Sequence, residues 1–236
     1  MEIGKGIFIT VDGTEGSGKS TVLKKIKEKL EKIGVETLLT KEPGSPNDKV
    51  CQKLRAMVLD PENDIDSEAE IYLYMADRCQ HVNKVVRPAI QEGKVVLSDR
   101  YIDSTYAYQG WGRRFGKPEA IEYINYLNEK TTGKLIPDLS IFILVDPEVG
   151  LQRVQSRDFE FGSQPDRIEQ EKLDFHARLY EGFVDLYSRQ KEFRNIMLIN
   201  STDKTKEQVE SEVLDYVIKM IDLHIVKQNI EIGASV

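Results

Sequence analysis

Residues 13–20 read Gly-Thr-Glu-Gly-Ser-Gly-Lys-Ser, and no other stretch constrains the fold of this chain as strongly. Its glycines let the backbone curl until successive N–H groups converge on one anion. The spacing is that of G-x-x-x-x-G-K-[ST], a loop that cradles phosphates, with the lysine neutralising charge and the hydroxyl available to a metal ion. Such a loop needs a strand before it and a helix after it whose N-terminus faces the anion. Both are present: residues 7–11 are Ile-Phe-Ile-Thr-Val, and Val22, Leu23, Ile26, Leu30 and Ile33 form one stripe of a helix over 19–32 that Gly34 stops. Gly13, Thr14, Glu15, Gly16, Ser17, Gly18, Lys19, Ser20 and Thr21 are therefore read as nucleotide-binding residues.

Beyond the loop, short β-branched runs alternate with longer amphipathic stretches, the pattern of a parallel sheet covered by helices. Strands are expected over 7–11, 36–40, 94–98, 139–145 and 195–200. The fourth is almost wholly apolar, as a strand buried on both faces should be. Helices are expected over 19–32, 49–59, 67–92, 118–131, 147–156, 168–191 and 205–224. The third should open with a capping box of Ser67 and Glu70 and bend at Pro88. Residues 157–164 (Arg-Asp-Phe-Glu-Phe-Gly-Ser-Gln) have no clear period and read as a loop or lid, placed at about 154–167. The expected organisation is one α/β domain over 1–224 with a frayed tail over 225–236, a three-layer P-loop fold with a five-stranded parallel sheet.

Composition removes several alternatives. The net charge of −7 is wrong for a protein that coats a nucleic-acid polymer. No apolar run approaches the ~20 residues that span a bilayer, and the first residues do not form a signal peptide. Cys51 and Cys79 with three histidines make no zinc pattern, and two reduced cysteines suit a cytoplasmic protein.

The third strand runs into Asp99-Arg100-Tyr101, placing one carboxylate beside an arginine. That pair suits a site where Mg²⁺ and a second anion meet, as in a kinase whose acceptor is itself a phosphate. No Asn-Lys-x-Asp guanine reader is present. Together with the loop, Thr40-Lys-Glu-Pro-Gly44, Asp99-Arg-Tyr-Ile-Asp-Ser-Thr-Tyr-Ala-Tyr-Gln-Gly110, Pro137-Asp-Leu and Asp166-Arg-Ile-Glu-Gln-Glu171 make a specific set, in order from about Gly6 to Asp222. In these segments the chain resembles the thymidylate kinase family.

The resemblance implies transfer of the γ-phosphate of ATP to dTMP, with Mg²⁺ as cofactor and a homodimer packed through helices including the third. It places Lys19, Asp99, Arg100 and a lid arginine, Arg157 before Arg153, at the reaction, with Arg167 orienting the lid or pairing with a carboxylate. Ser20 would bind Mg²⁺, and Asp99 would do so through water. For dTMP it implies Glu15 at the sugar hydroxyl, Tyr74 under the base and Arg78 on a base carbonyl. Ser104, Thr105 and Gln109 would read the pyrimidine edge, Tyr108 would lie beside the sugar, and Glu42, Pro43, Arg55 and Arg100 would complete the acceptor site. The chain departs from the family in Lys41 and in Ser45-Pro46, where relatives carry Arg and a second Gly, and in a longer lid with Phe159 and Phe161. Two other readings stay open: a kinase for another nucleoside monophosphate such as dUMP, and an ATP-binding regulatory protein without turnover.

Overall fold

The computed structural model describes residues 6–114, 116–161 and 164–233, without the side chains of 157–161 and 224–233. Five strands, β1 (Ile7–Gly13), β2 (Thr37–Lys41), β3 (Val95–Asp99), β4 (Leu139–Leu144) and β5 (Ile196–Asn200), form one parallel sheet in the order β2-β3-β1-β4-β5. Each expected strand is present within two residues of its expected ends. The helices are α1 (Lys19–Lys32), α2 (Lys49–Leu59), α3 (Ser67–His81), α4 (Arg87–Gln91), α5 (Ile102–Thr105), α6 (Pro118–Thr132), α7 (Pro147–Phe161), α8 (Leu173–Gln190) and α9 (Lys206–Gly233).

Alternation along β1 builds the two faces. Ile7, Ile9 and Val11 join Leu23, Ile26 and Leu30 of α1 and Val213, Val217 and Ile221 of α9 on one face. Phe8 turns to the other, against Val82, Val86 and Tyr101. There, Phe142 and Leu144 of β4 pack on Phe175, Leu179 and Phe183 of α8. Full burial of each such side chain stabilises the fold by about 1.5–3 kcal/mol. Strand order reverses at β1, between β3 and β4, and this places the site at the carboxyl ends of those strands.

Several expected helix boundaries are corrected. The helix expected over 67–92 is divided: α3 passes through a π-helical segment, Val82–Val86, into α4. Pro88 has no N–H to donate, and upstream of it the Arg87 N–H reaches back five residues to the Val82 carbonyl. The cap of α3 is Asp66, whose carboxylate accepts from Glu68 N at 2.8 Å, while Ser67 is the first helical residue. Glu70 is turned into the interior instead of closing a capping box. Residues 157–161, expected as loop, continue α7; no Gly or Pro interrupts 151–161. Only Leu173 begins α8, because Asp166 first caps a separate turn by accepting from Ile168 N and Glu169 N, both at 2.9 Å. The tail expected to fray is helical as far as Gly233. A second π-helical segment, Tyr106–Gly112, had no counterpart among the expected elements.

Candidate active site

The loop after β1 is shaped by close backbone contact. Gly16 has φ +68°, and a Cβ there would lie 2.3 Å from the Gly150 carbonyl oxygen on α7. Gly150 in turn meets the Glu15 carbonyl, so the loop and α7 can touch only if both positions lack a side chain. Gly18, at φ +95°, turns the chain into α1. Lys19 curls back over the loop, its Nζ donating to the Thr14 carbonyl at 2.6 Å. Burial, then the nearby Arg100 charge, lowers its pKa to about 8. An ammonium held this way gains a strong partner when phosphate arrives.

Beside it, Ser20 Oγ donates to Asp99 Oδ2 at 2.8 Å. A hydroxyl and a carboxylate at the mouth of a phosphate loop are hard oxygen donors of the kind Mg²⁺ takes. Among the described residues no group of three or more His, Cys, Asp or Glu gathers as a metal site.

Arg100 leaves β3 at φ 73° and swings across to the loop. It donates to the Gly13 carbonyl at 2.8 Å and to Glu15 Oε1 at 2.6 Å, with its guanidinium 4.8 Å from the Tyr108 ring centre. Tyr108 also donates to Glu15 Oε1, at 2.5 Å. Burial alone would raise the pKa of Glu15, but Arg100, Lys19 and the Tyr108 hydroxyl outweigh it and bring it to about 2. Asp12, absent from the expected site, supports this group from beneath. Its Oδ1 accepts from Tyr101 N at 3.0 Å, Ser104 N at 3.1 Å and Ser104 Oγ at 2.6 Å, while Oδ2 is buried without a partner. Burial and the neighbouring Asp103 raise its pKa to about 6. Ser104, expected at the pyrimidine, is engaged with Asp12.

The opposite wall comes from α3, where Glu70, Tyr74 and Arg78 recur every four residues on one face. Arg78 is 2% exposed, and its N–H groups reach Glu42 Oε2 at 2.8 Å, Thr105 Oγ1 and Asn128 Oδ1 at 2.7 Å, and the Tyr101 carbonyl at 3.0 Å. Four of its five donors are thus placed within the protein, leaving one. Glu42 is held on its other oxygen by His81 Nδ1 at 2.8 Å. Arg78 and His81 together lower its pKa against the upward push of burial. With both oxygens engaged, Glu42 fixes Arg78 more than it meets a ligand. His81 was absent from the expected site; its one signal in the sequence is position, one turn beyond Arg78. Arg55 donates to the Pro43 carbonyl at 3.0 Å and packs over Gly44.

These walls enclose one cleft of about 1330 Å³. That exceeds the ~300–1,000 Å³ of an ordinary ligand pocket and leaves room for two nucleotides. Lys19, Ser20, Thr21, Asp99, Arg100 and Arg153 line it, as do Glu15, Glu42, Pro43, Arg55, Tyr74, Arg78, Ser104, Thr105, Tyr108 and Gln109. Of the expected loop residues, Gly13 and Thr14 lie behind its wall. Arg153 braces the loop, donating to the carbonyls of Gly16 at 3.4 Å and Thr202 at 3.2 Å. The side chain of Arg157 lies outside the described residues, as do those of Phe159 and Phe161. Sequence reasoning also missed Ser201, Lys204, Thr205 and Lys206 at the donor end, which carry no motif of their own.

A phosphate loop at the switch point of a parallel sheet, sharing one cleft with a second basic wall, defines a P-loop kinase of small phosphorylated molecules. Comparison with known proteins narrows the class. A family model described as thymidylate kinase matches residues 11–213. Thymidylate kinase of Lactobacillus acidophilus is 40% identical over 222 residues, covering 92% of this chain and 98% of the relative. That of Lactobacillus helveticus is 45% identical over 188 residues, covering 78% and 84%. The crystal structure of thymidylate kinase from Ehrlichia chaffeensis superposes with a TM-score of 0.69 at 26% identity, covering 90% of this chain and 98% of that one. The chain belongs to the thymidylate kinase family.

Proposed function

We propose that this protein transfers the γ-phosphate of ATP to dTMP, giving ADP and dTDP. The observation that carries the reading is the place of Arg100, bonded to the phosphate loop at Gly13 and Glu15 and facing the cavity shared with Tyr74 and Arg78. The acceptor phosphate is already anionic near neutral pH, so the reaction needs alignment and charge neutralisation more than a strong base. Lys19 would meet the transferring phosphoryl group, and Arg100 would hold the acceptor phosphate in line. Arg157, or Arg153 after it, would supply a further cation from the lid. Ser20 and Asp99 would hold Mg²⁺, which supplies neutralisation of phosphate charge when bound.

Tyr74 offers a ring for the base and Arg78 its remaining N–H for a base carbonyl. Glu15, fixed by Arg100 and Tyr108, stands where it could accept from the sugar hydroxyl. A homodimer packed through helices that include α3 belongs to the same proposal, supported by the family and by the exposed Tyr72 on that helix. So does a cytoplasmic location, supported by the finding that no helix among the described residues is long and apolar enough to cross a membrane. The test is transfer of labelled γ-phosphate from ATP to dTMP, with dUMP as the alternative acceptor.

A further inference from the structure

Behind Gln109 lies a buried carboxylate that the reaction does not use. Glu70 is 1% exposed and sits one helical turn before Tyr74. Gln109 Nε2 donates to its Oε1 at 2.9 Å. Arg113 donates to both its oxygens, at 3.3 and 3.2 Å, and Arg167 donates to Oε2. Burial pushes the Glu70 pKa up, but Arg113, Gln109 and Arg167 together lower it below the usual carboxylate value. The group therefore stays ionised, and an ionised carboxylate accepts hydrogen bonds without donating any. Only one face of the Gln109 amide can satisfy it: the NH₂ must point at Glu70. The Gln109 Oε1 then accepts from no group among the described residues and is not sealed in the interior, while the side chain lines the cleft.

The geometry points to Glu70 as a positioning residue for pyrimidine choice: by fixing the Gln109 amide it presents a carbonyl to the base, and so favours a base with N3–H over one with a bare N3. This rests on the proposed acceptor site and deepens it. An amide pairs with a 4-oxo pyrimidine through its oxygen on N3–H and its nitrogen on O4. Cytosine, with a bare N3 and an N4 amino group, needs the amide reversed. An amide free to turn over would serve both; one clamped to a carboxylate serves the first. Thymine and uracil are identical on this edge, so Glu70 cannot separate them.

That identity supplies the control. Glu70→Gln replaces an obligate acceptor by an amide that can also donate, and this frees Gln109 to reverse. The kcat/KM ratio of dTMP to dCMP should fall at least about tenfold, the size expected of one misplaced hydrogen bond in a reading site. The dTMP to dUMP ratio should hold within about twofold on the same argument. Glu70→Asp, which keeps an ionised acceptor, should retain most of the dCMP discrimination even if turnover drops. Equal loss of both ratios in Glu70→Gln, or an unchanged dTMP to dCMP ratio, would overturn the assignment. Should Glu70→Gln not fold, neutron diffraction of the dTMP complex of the unmodified protein decides: deuterons of Gln109 Nε2 on Glu70 with Oε1 at the base are expected, and the reverse amide overturns it. Failure of dTMP to act as substrate for the unmodified protein would instead refute the proposed function itself.

Discussion

The two ends of the cleft are made differently. At the donor end the binding groups are mostly backbone: a run of eight residues, with Gly16 pressed against α7, and one lysine folded over it. At the acceptor end they are side chains from separate elements, each fixed by another. Glu42 and His81 hold Arg78, Asp12 holds Ser104, and Glu70 holds Gln109. A backbone cradle recognises phosphate whatever is attached to it, whereas clamped side chains can tell one base from another. The donor end thus supplies the reaction class, and the acceptor end the choice of substrate.

The comparison breaks most sharply at Lys19. Lys19→Ala removes the loop's cation, and turnover should fall by about 100- to 1000-fold, as when one transition-state donor is deleted, with the melting temperature nearly unchanged. Steady-state rates beside a thermal melt check this. A large drop in melting temperature would mean that Lys19 is a structural strut. A smaller, opposite pattern is expected at Glu42. Glu42→Gln takes the charge from a buried partner of Arg78 and should lower stability by about 2 kcal/mol, seen in a denaturant titration. The KM for dTMP should rise more than kcat falls, and the KM for ATP should stay put. If both KM values rise together, the two ends are not separate.

The smallest effect concerns Asp12, whose pKa rises from 3.8 to about 6 in the fold. A raised carboxyl pKa means the folded protein favours the protonated form. That contribution is fully present below the unfolded value and is lost as pH rises through about 6. Between pH 4 and pH 6, therefore, Asp12 makes stability decline as pH increases. Asp12→Asn should remove that component, making the change in melting temperature with pH shallower across this window. Asp77, raised to about 6 by burial and by Glu42, adds a background of the same sign that the substitution leaves in place.

What the sequence shows follows the same division. The phosphate loop is contiguous, so its spacing, its strand and its helix could all be read from neighbouring residues. Strand positions were legible because both faces of the sheet are covered and its inner strands β1, β3 and β4 are mostly apolar and buried. The partners of Arg78 were not legible: Glu42, Thr105 and Asn128 are 36, 27 and 50 residues away and meet only when α3 packs. Glu70 misled, since its spacing from Ser67 imitates a capping box while Asp66 does the capping. The π-helical turn that carries Tyr108 and Gln109 leaves no period of 3.6 to detect.

Transfer of labelled phosphate tests the central claim most directly. With γ-labelled ATP, Mg²⁺ and dTMP, label should move into dTDP one for one with ADP formed, more efficiently than into any other nucleoside diphosphate. Label released only as inorganic phosphate, retained on ATP with every acceptor, or transferred preferentially to a purine nucleotide would contradict the account.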